Sequence, residues 1–285
     1  MRAFVALVAS GLLLAGCGGS GTEPTGDASL PVIASHYPVE YLVEQVGGDL
    51  VDVETLTSPG TEPHDLELSP QQVGQVQQAD AVFYIEGFQP AVDQAIGEAE
   101  GTVVDLAAGL PLRAEGTDPH IWLDPVLMRQ MAGTVADTLA AADPANAQTY
   151  QTNKDTLDAQ LVSLDREWSE RTQNCQIRTM VVSHEAFGYL ADQYGFDQKG
   201  IAGLSPDSEP SAAAIAELAT FVRDNGVTTV YTETLVDPAV AQTVAAEAGA
   251  RTATLDPLEG PPTDGDYLTA MRTNLDTVAE GQSCA

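Results

Sequence analysis

Residues 143–174, "DPANAQTYQTNKDTLDAQLVSLDREWSERTQN", limit the possible folds more than any other stretch of this chain. Asp143 reads as an N-cap and Pro144 as the first helical residue. Leu157, Leu161, Leu164 and Trp168 follow at intervals of four, three and four, which places them on one helical stripe. No glycine or further proline interrupts the run. A helix of roughly 30 residues is about 45 Å long at the usual rise per residue, the length of a whole domain. Such a helix reads as a rigid strut between the chain before it and the chain after it.

Both flanks alternate short apolar, β-branched runs with helical segments. "PVIAS", "VDVETLT", "AVFYIE" and "TVVDL" read as strands before the strut, and "RTMVVSH", "TTVYTE" and "RTATLD" after it. "PVEYLVEQVGG" ends on glycines, "SPQQVGQVQQAD" opens on a serine cap with proline at the next position, and "SEPSAAAIAELATFVRDNG" runs from a Ser or Pro start to a Gly stop. Alternation of this kind builds parallel βαβ units. The expected fold is α/β: two Rossmann-like lobes with parallel sheets, joined by one long rigid helix. The expected boundaries are an N-terminal lobe at 31–142, the linking helix at 143–174 and a C-terminal lobe at 175–285.

The N-terminus reads as an export signal. Arg2 gives a positive start, and Phe4 to Leu14 form an apolar run too short to span a bilayer comfortably. "LAGC" looks like a bacterial lipobox, with the signal at 1–16, cleavage before Cys17 and acylation of that cysteine. The alternative is a plain secretory signal with an incidental cysteine. "GGSGTEPTGDAS", within a tether at 17–30, has no periodicity. More than one acyl chain anchors a protein stably. The body is therefore expected to be exported and held by lipid at the outer face of the cytoplasmic membrane, at the cell surface or in a periplasm. With Cys17 acylated, Cys175 and Cys284 are the remaining pair, and an exported compartment permits a disulfide between them. Two separate thiols are the alternative.

Charge narrows the partners. Forty-two acidic residues against 11 basic ones give a net charge of −31, a field that repels nucleic acid and anionic lipid surfaces and attracts cations, although on charge by itself the reading is solubility alone. The four histidines then become informative. Open α/β sheets bind ligands at the carboxyl ends of their strands. His184 follows "TMVVS" and Asp256 follows "TATL" directly. His64 lies in the loop after "VDVETLTSPG", and His120 lies in "DPHIWLDP" between prolines. Three imidazoles and a carboxylate match a tetrahedral zinc site in type and number, placed in the cleft between the lobes. His36 follows "PVIAS" and reads instead as a polar residue opening the next helix. Asp124 is placed to accept the second imidazole proton of His120, and Glu233 that of His184; both also read as plain surface charge. Trp122 reads as a wall of the cleft.

"GTEPHDLELSP", "DPHIWLDP", "SHEAFGYLADQYG", "GLSPDSEPSAAAIAEL" and "TETLVDP" together resemble the zinc- and manganese-binding solute-binding proteins of bacterial ABC importers. The similarity runs from about Pro31 to the C-terminus. It implies two α/β lobes, a long backbone helix and metal between the lobes. It also implies that His64, His120 and His184 are ligands and that Asp256, in "TLDPLEG", matches the carboxylate that closes many family sites; Glu62 and Glu259 stand in reserve, because some zinc members use a glutamate near the first histidine or leave the fourth position to water. Manganese-type members tend to carry a glutamate where this chain has His184, so the resemblance implies Zn2+ ahead of Mn2+. Many zinc members insert a His-rich loop before the second histidine; "LPLRAEGT" stands there instead, short and without histidine.

The expected role is high-affinity zinc capture and delivery to a membrane permease by a monomer, with no catalytic activity. Zinc takes neutral imidazole, so affinity is expected to fall as pH drops through about 6.5. A zinc hydrolase using Glu62 or Glu185 as base is the alternative of another class, but no H-E-x-x-H motif is present. Surface adhesion is a third role open to such a lipoprotein, though nothing in the sequence requires it.

Overall fold

The strand-forming runs lie in two separate sheets. The computed structural model describes residues 29–113, 118–207 and 210–285. The signal peptide, Cys17 and nearly all of the tether lie outside the described residues.

The first sheet contains β1 (Leu30–Ala34), β2 (Val51–Thr55), β3 (Ala81–Tyr84) and β4 (Thr102–Asp105), ordered β2-β1-β3-β4 with every pair parallel. The second contains β5 (Thr179–Val182), β6 (Asp197–Gly200), β7 (Thr229–Thr232) and β8 (Arg251–Thr254) in the same arrangement, β6-β5-β7-β8. The "DQKG" of β6 has no apolar pattern, and it is extended because its backbone pairs with the edge of β5 from Thr179↔Asp197 to Val182↔Gly200. The matching strand orders make the two lobes architectural repeats. No repeat is legible in the sequence, because a sheet order is fixed by backbone pairing and not by side-chain identity.

The helices are α1 (Tyr37–Gly47), α2 (Pro70–Gln78), α3 (Pro90–Ala95), α4 (Pro125–Ala142), α5 (Ala147–Thr172), α6 (Gly188–Tyr194), α7 (Ala212–Asp224), α8 (Ala239–Ala248) and α9 (Tyr267–Gly281). Ser69 and Gln72 close a capping box on α2, as the Ser-Pro start implies. Ser211 caps α7.

The linking helix is α5, and its buried face carries Leu157, Leu161, Leu164 and Trp168. Its start differs from the expected one. Asp143 ends α4, and Asn146 is the N-cap residue of α5. The Asp143 carboxylate accepts from Asn146 Nδ2 (2.7 Å) and Tyr150 Oη (3.0 Å), so residues 143–146 form a turn between two packed helices. Pro144 therefore marks that turn and not a helical N1 position. One hydrophobic core passes through both lobes along α5. It joins Leu42 and Val43 of α1, Met131 and Val135 of α4, the α5 stripe, Leu190 of α6 and Met271 and Leu275 of α9. Smaller apolar clusters lie under α2 and α3 in one lobe and under α7 and α8 in the other.

Cys175 and Cys284 form a disulfide that ties the chain just after α5 to the chain just after α9. Among the described residues, no helix is long and apolar enough to cross a membrane.

Candidate metal centre

Four side chains from four loops converge between the lobes. His64 comes from the loop between β2 and α2, His120 from the turn before α4, His184 from the end of β5, and Glu259 from the loop after β8. Their donor atoms all lie within 4.8 Å of one another. His120 Nε2 is 3.4 Å from His64 Nε2 and 3.4 Å from His184 Nε2. Glu259 Oε1 is 3.1 Å from His184 Nε2, 3.3 Å from His120 Nε2 and 3.4 Å from His64 Nε2. A tetrahedron with zinc–nitrogen bonds of about 2.0–2.1 Å has edges of about 3.3–3.4 Å. Five of the six donor–donor distances match those edges closely, and the sixth, between His64 and His184, is within 4.8 Å. Larger, oxygen-seeking cations need longer bonds and more donors.

Each donor is aimed by a second contact. His184 Nδ1 donates to Glu233 Oε2 (2.6 Å), and the other oxygen of Glu233 accepts from His184 N (2.9 Å). His120 Nδ1 donates to Asp118 Oδ1 (2.9 Å), which also accepts from His120 N (3.0 Å). Contacts of this kind fix the tautomer and leave Nε2 free for an ion. The loop of His64 is pinned at Pro63, whose carbonyl accepts from buried Gln89 (3.3 Å), and by Glu62, whose Oε1 accepts from His64 N (3.1 Å). The His64 ring meets the edge of Phe88, 4.7 Å between centroids. His120, His184 and Glu259 are fully buried, and His64 keeps a partial opening to solvent.

Two sequence expectations are corrected here. Asp256 lies outside the cluster: its Oδ1 accepts from Leu258 N (2.9 Å) and Thr234 Oγ1 (3.1 Å). That contact shapes a turn in which Leu258 adopts φ 56°, and the turn swings Glu259 inward in place of Asp256. Asp124 is not the partner of His120. It caps α4, accepting from Val126 N (2.8 Å), and the partner is Asp118, two residues upstream of the histidine. Asp118 was legible only as the first residue of "DPHIWLDP". Glu62 holds its own loop and is not among the four donors.

Trp122 is completely buried and donates from Nε1 to Pro257 O (2.7 Å), so it ties the His120 turn to the Glu259 loop. His36 is also fully buried, beside Phe88 and Trp122 at 4.5 and 4.8 Å, with Nδ1 paired to Ser35 Oγ. Burial lowers its imidazole to about 3, so it stays neutral.

The electrostatics oppose those of His36 at the cluster itself. Burial disfavours the His184 cation, but hydrogen bonds to Glu233 and Glu259 outweigh it and push the imidazole up to about 10. Burial likewise opposes a charged His120, and Asp118 and Glu259 again prevail and raise it. Burial alone would raise Glu259; contacts with His120, His184 and His64 hold it well below the usual carboxylate range. Buried negative charge facing three imidazoles is a site for positive charge.

This geometry separates the two carboxylates of "TLDPLEG". Glu259→Ala is expected to lower zinc affinity by on the order of a hundredfold, the share of one donor in a four-ligand site. Asp256→Asn should cost less than about tenfold, acting only through the turn. Competition against a zinc-binding dye reads both; equal losses would return Asp256 to the site.

The chain matches the family model described as "Zinc-uptake complex component A periplasmic" over residues 32–281. It is 32% identical over 298 residues to the high-affinity zinc uptake system protein ZnuA of Bacillus subtilis, covering 94% of this chain and 93% of that one. It is 32% identical to the zinc-binding lipoprotein AdcA of Streptococcus pneumoniae over 89% of this chain, which spans only 56% of that longer protein. The solved structure of the laminin-binding protein Lmb of Streptococcus agalactiae, described as a bifunctional protein with adhesin and metal transporting activity, superposes with a TM-score of 0.84 at 30% identity, covering 89% of this chain and 100% of that one. A lobe-strut-lobe fold, donors at the strand ends and a match across nearly the whole body agree, and the chain belongs to the ZnuA family of zinc-uptake components.

Proposed function

We propose that this chain is the extracytoplasmic zinc-capturing component of an ABC importer, and that His64, His120, His184 and Glu259 hold the ion as cargo. The observation that carries this reading is that five of the six donor–donor distances lie between 3.1 and 3.4 Å, close to the edges of a tetrahedron sized for zinc, while the sixth, from His64 to His184, is within 4.8 Å. Three nitrogens and one oxygen favour zinc over manganese, which prefers more oxygen donors in an octahedron. The body is a monomer anchored through acylated Cys17 at the outer face of the membrane, and it hands its ion to the importer's permease. Because α5 runs through the core of both lobes, loading changes loops at the cleft more than lobe spacing. The permease then favours the loaded form only through differential affinity for it.

Four side chains fill a tetrahedral ion, whereas hydrolysis needs an open position for water. The two candidate bases are also engaged: Glu62 Oε1 accepts from His64 N, and Glu185 Oε1 accepts from Gly200 N. Capture is therefore favoured over catalysis. The likeness to Lmb supports laminin adhesion as a second proposal, tested by laminin binding that survives chelation.

Calorimetric titration of the metal-stripped, unlipidated body tests the main reading. Zinc should bind one to one and more tightly than manganese, and His64→Ala should weaken it. Weak binding at many sites, unchanged in the variant, would place the ion on the acidic surface instead.

The same titration across pH has a defined sign. In the metal-free protein the raised His184 contributes stability that is complete below its ordinary value of 6.5 and is lost as pH rises through about 10. Zinc needs that imidazole without its proton, so zinc affinity runs the other way. It should climb by about tenfold per pH unit for each proton displaced, and keep climbing above pH 7. Sequence alone puts this window near 6.5; the carboxylates around His184 move it upward. An affinity flat from pH 5 to pH 8 would remove the three-histidine site.

A further inference from the structure

Asp118, which aims His120, is itself held from the opposite lobe. Its backbone carbonyl accepts from Tyr189 Oη (3.1 Å), and Tyr189 Oη accepts in turn from Arg113 N (3.4 Å). The Arg113 guanidinium lies 5.9 Å over the Tyr189 ring, with Nε 3.9 Å from Asp118 Oδ2 and Nη1 3.3 Å from Asp192 Oδ2. Tyr189 and Asp192 belong to α6 of the C-terminal lobe, and Asp118 and Arg113 to the N-terminal lobe. Gly188 opens α6 and makes the room. A Cβ on it would stand 2.4 Å from Asp118 Oδ2 and 2.4 Å from Arg113 Nη1. Any side chain there displaces the carboxylate that orients His120.

We propose that Tyr189 and Gly188 are positioning residues for zinc capture: α6 fixes Asp118, and through Asp118 it aims the His120 ring. The inference rests on the zinc-binding reading above. α6 begins four residues after His184, so one short segment references a donor from each lobe to the same frame. The other end of the His120 turn is tied to the same lobe. Trp122 Nε1 donates to Pro257 O, and Tyr267 Oη donates to Trp122 O (2.6 Å). The segment from Asp118 to Trp122 thus follows the C-terminal lobe, although the sequence places it in the N-terminal one. His120, His184 and Glu259 then keep their mutual geometry whenever the cleft loops move.

Tyr189→Phe and Gly188→Ala test this in the full soluble body. Tyr189→Phe removes one hydroxyl and keeps the ring and its packing. Each variant should lose zinc affinity by roughly 10- to 100-fold, the range for groups that orient a metal-bound histidine. Each should also change the visible absorption of the Co2+-loaded protein, which reports donor geometry, while the melting temperature of metal-free Tyr189→Phe falls by no more than about 5 °C, the share of the lost buried hydrogen bond. Affinity within twofold of wild type in Tyr189→Phe, with an unchanged Co2+ spectrum, overturns the proposal even if Gly188→Ala fails to fold. A fall in metal-free melting temperature with unchanged zinc affinity and Co2+ spectrum also overturns it, since the contact is then only structural. Weak, multisite zinc binding by the wild type is a separate result, and it rejects the zinc-binding reading itself.

Discussion

His184→Ala should lower zinc affinity by at least about a hundredfold, the largest loss expected from any single change in this chain. Zinc bound by four protein donors releases roughly 10–16 kcal/mol, so one donor carries about 3 kcal/mol, or two decades of affinity. His184 carries more than an even share. It shares its Nε2 neighbourhood with His120 and Glu259, and its Nδ1 satisfies Glu233, which is buried beneath it. Alanine removes the donor and also leaves the Glu233 carboxylate buried without its cationic partner, a costly state. The metal-free variant should therefore lose stability as well, and Glu233→Gln in the His184→Ala background should recover part of it. Chelator competition and thermal melting measure the two effects. A variant within fivefold of wild-type affinity would remove His184 from the site.

The second large effect concerns stability alone. Removing the disulfide with Cys175→Ala/Cys284→Ala should cost about 4–5 kcal/mol, because the cross-link closes a loop with a sequence separation of 109 residues. For a body of this size that corresponds to a melting temperature lower by on the order of 10 °C. Zinc affinity should hardly change. Cys175 precedes β5 and Cys284 follows α9, so the bond lies at the end of the sheet away from the strand termini that carry the donors. The surrounding backbone contacts, Ile177 N to Gln282 O (3.1 Å) and Gln176 N to Ser283 O (3.3 Å), keep the C-terminus docked in the folded state. The loss should therefore appear as easier unfolding and not as an altered site. A melting temperature insensitive to reductant, or a zinc affinity that collapses with the bond, would contradict this.

Much of the architecture is local information and was legible as such. The stripe Leu157, Leu161, Leu164, Trp168 predicts its own helix because side chains three and four apart share a face. Short β-branched and apolar runs predict every strand but β6, and His184, two residues after β5, falls at a strand end where α/β sheets gather ligands. Capping chemistry within four residues predicts the start of α2.

What the sequence could not decide are choices between equivalent groups. Asp256 and Glu259 are three residues apart in one loop, and both are carboxylates. Only the turn through Leu258, held by Asp256 itself, decides which of them faces the histidines. Asp118 and Asp124 flank His120 on either side; capping of α4 occupies one and frees the other. Ser35-His36 and Ser183-His184 end equivalent strands of the two sheets. Glu233 raises the proton affinity of His184, whereas His36 meets Phe88 and Trp122 and stays neutral. Propensity and pattern act over a few residues, which suffices for most of the strands and helices and for the kinds of side chain that gather at the strand ends, but not for β6. Which carboxylate faces the three histidines, and which groups surround His120, depend on contacts between segments tens of residues apart, and those follow from packing.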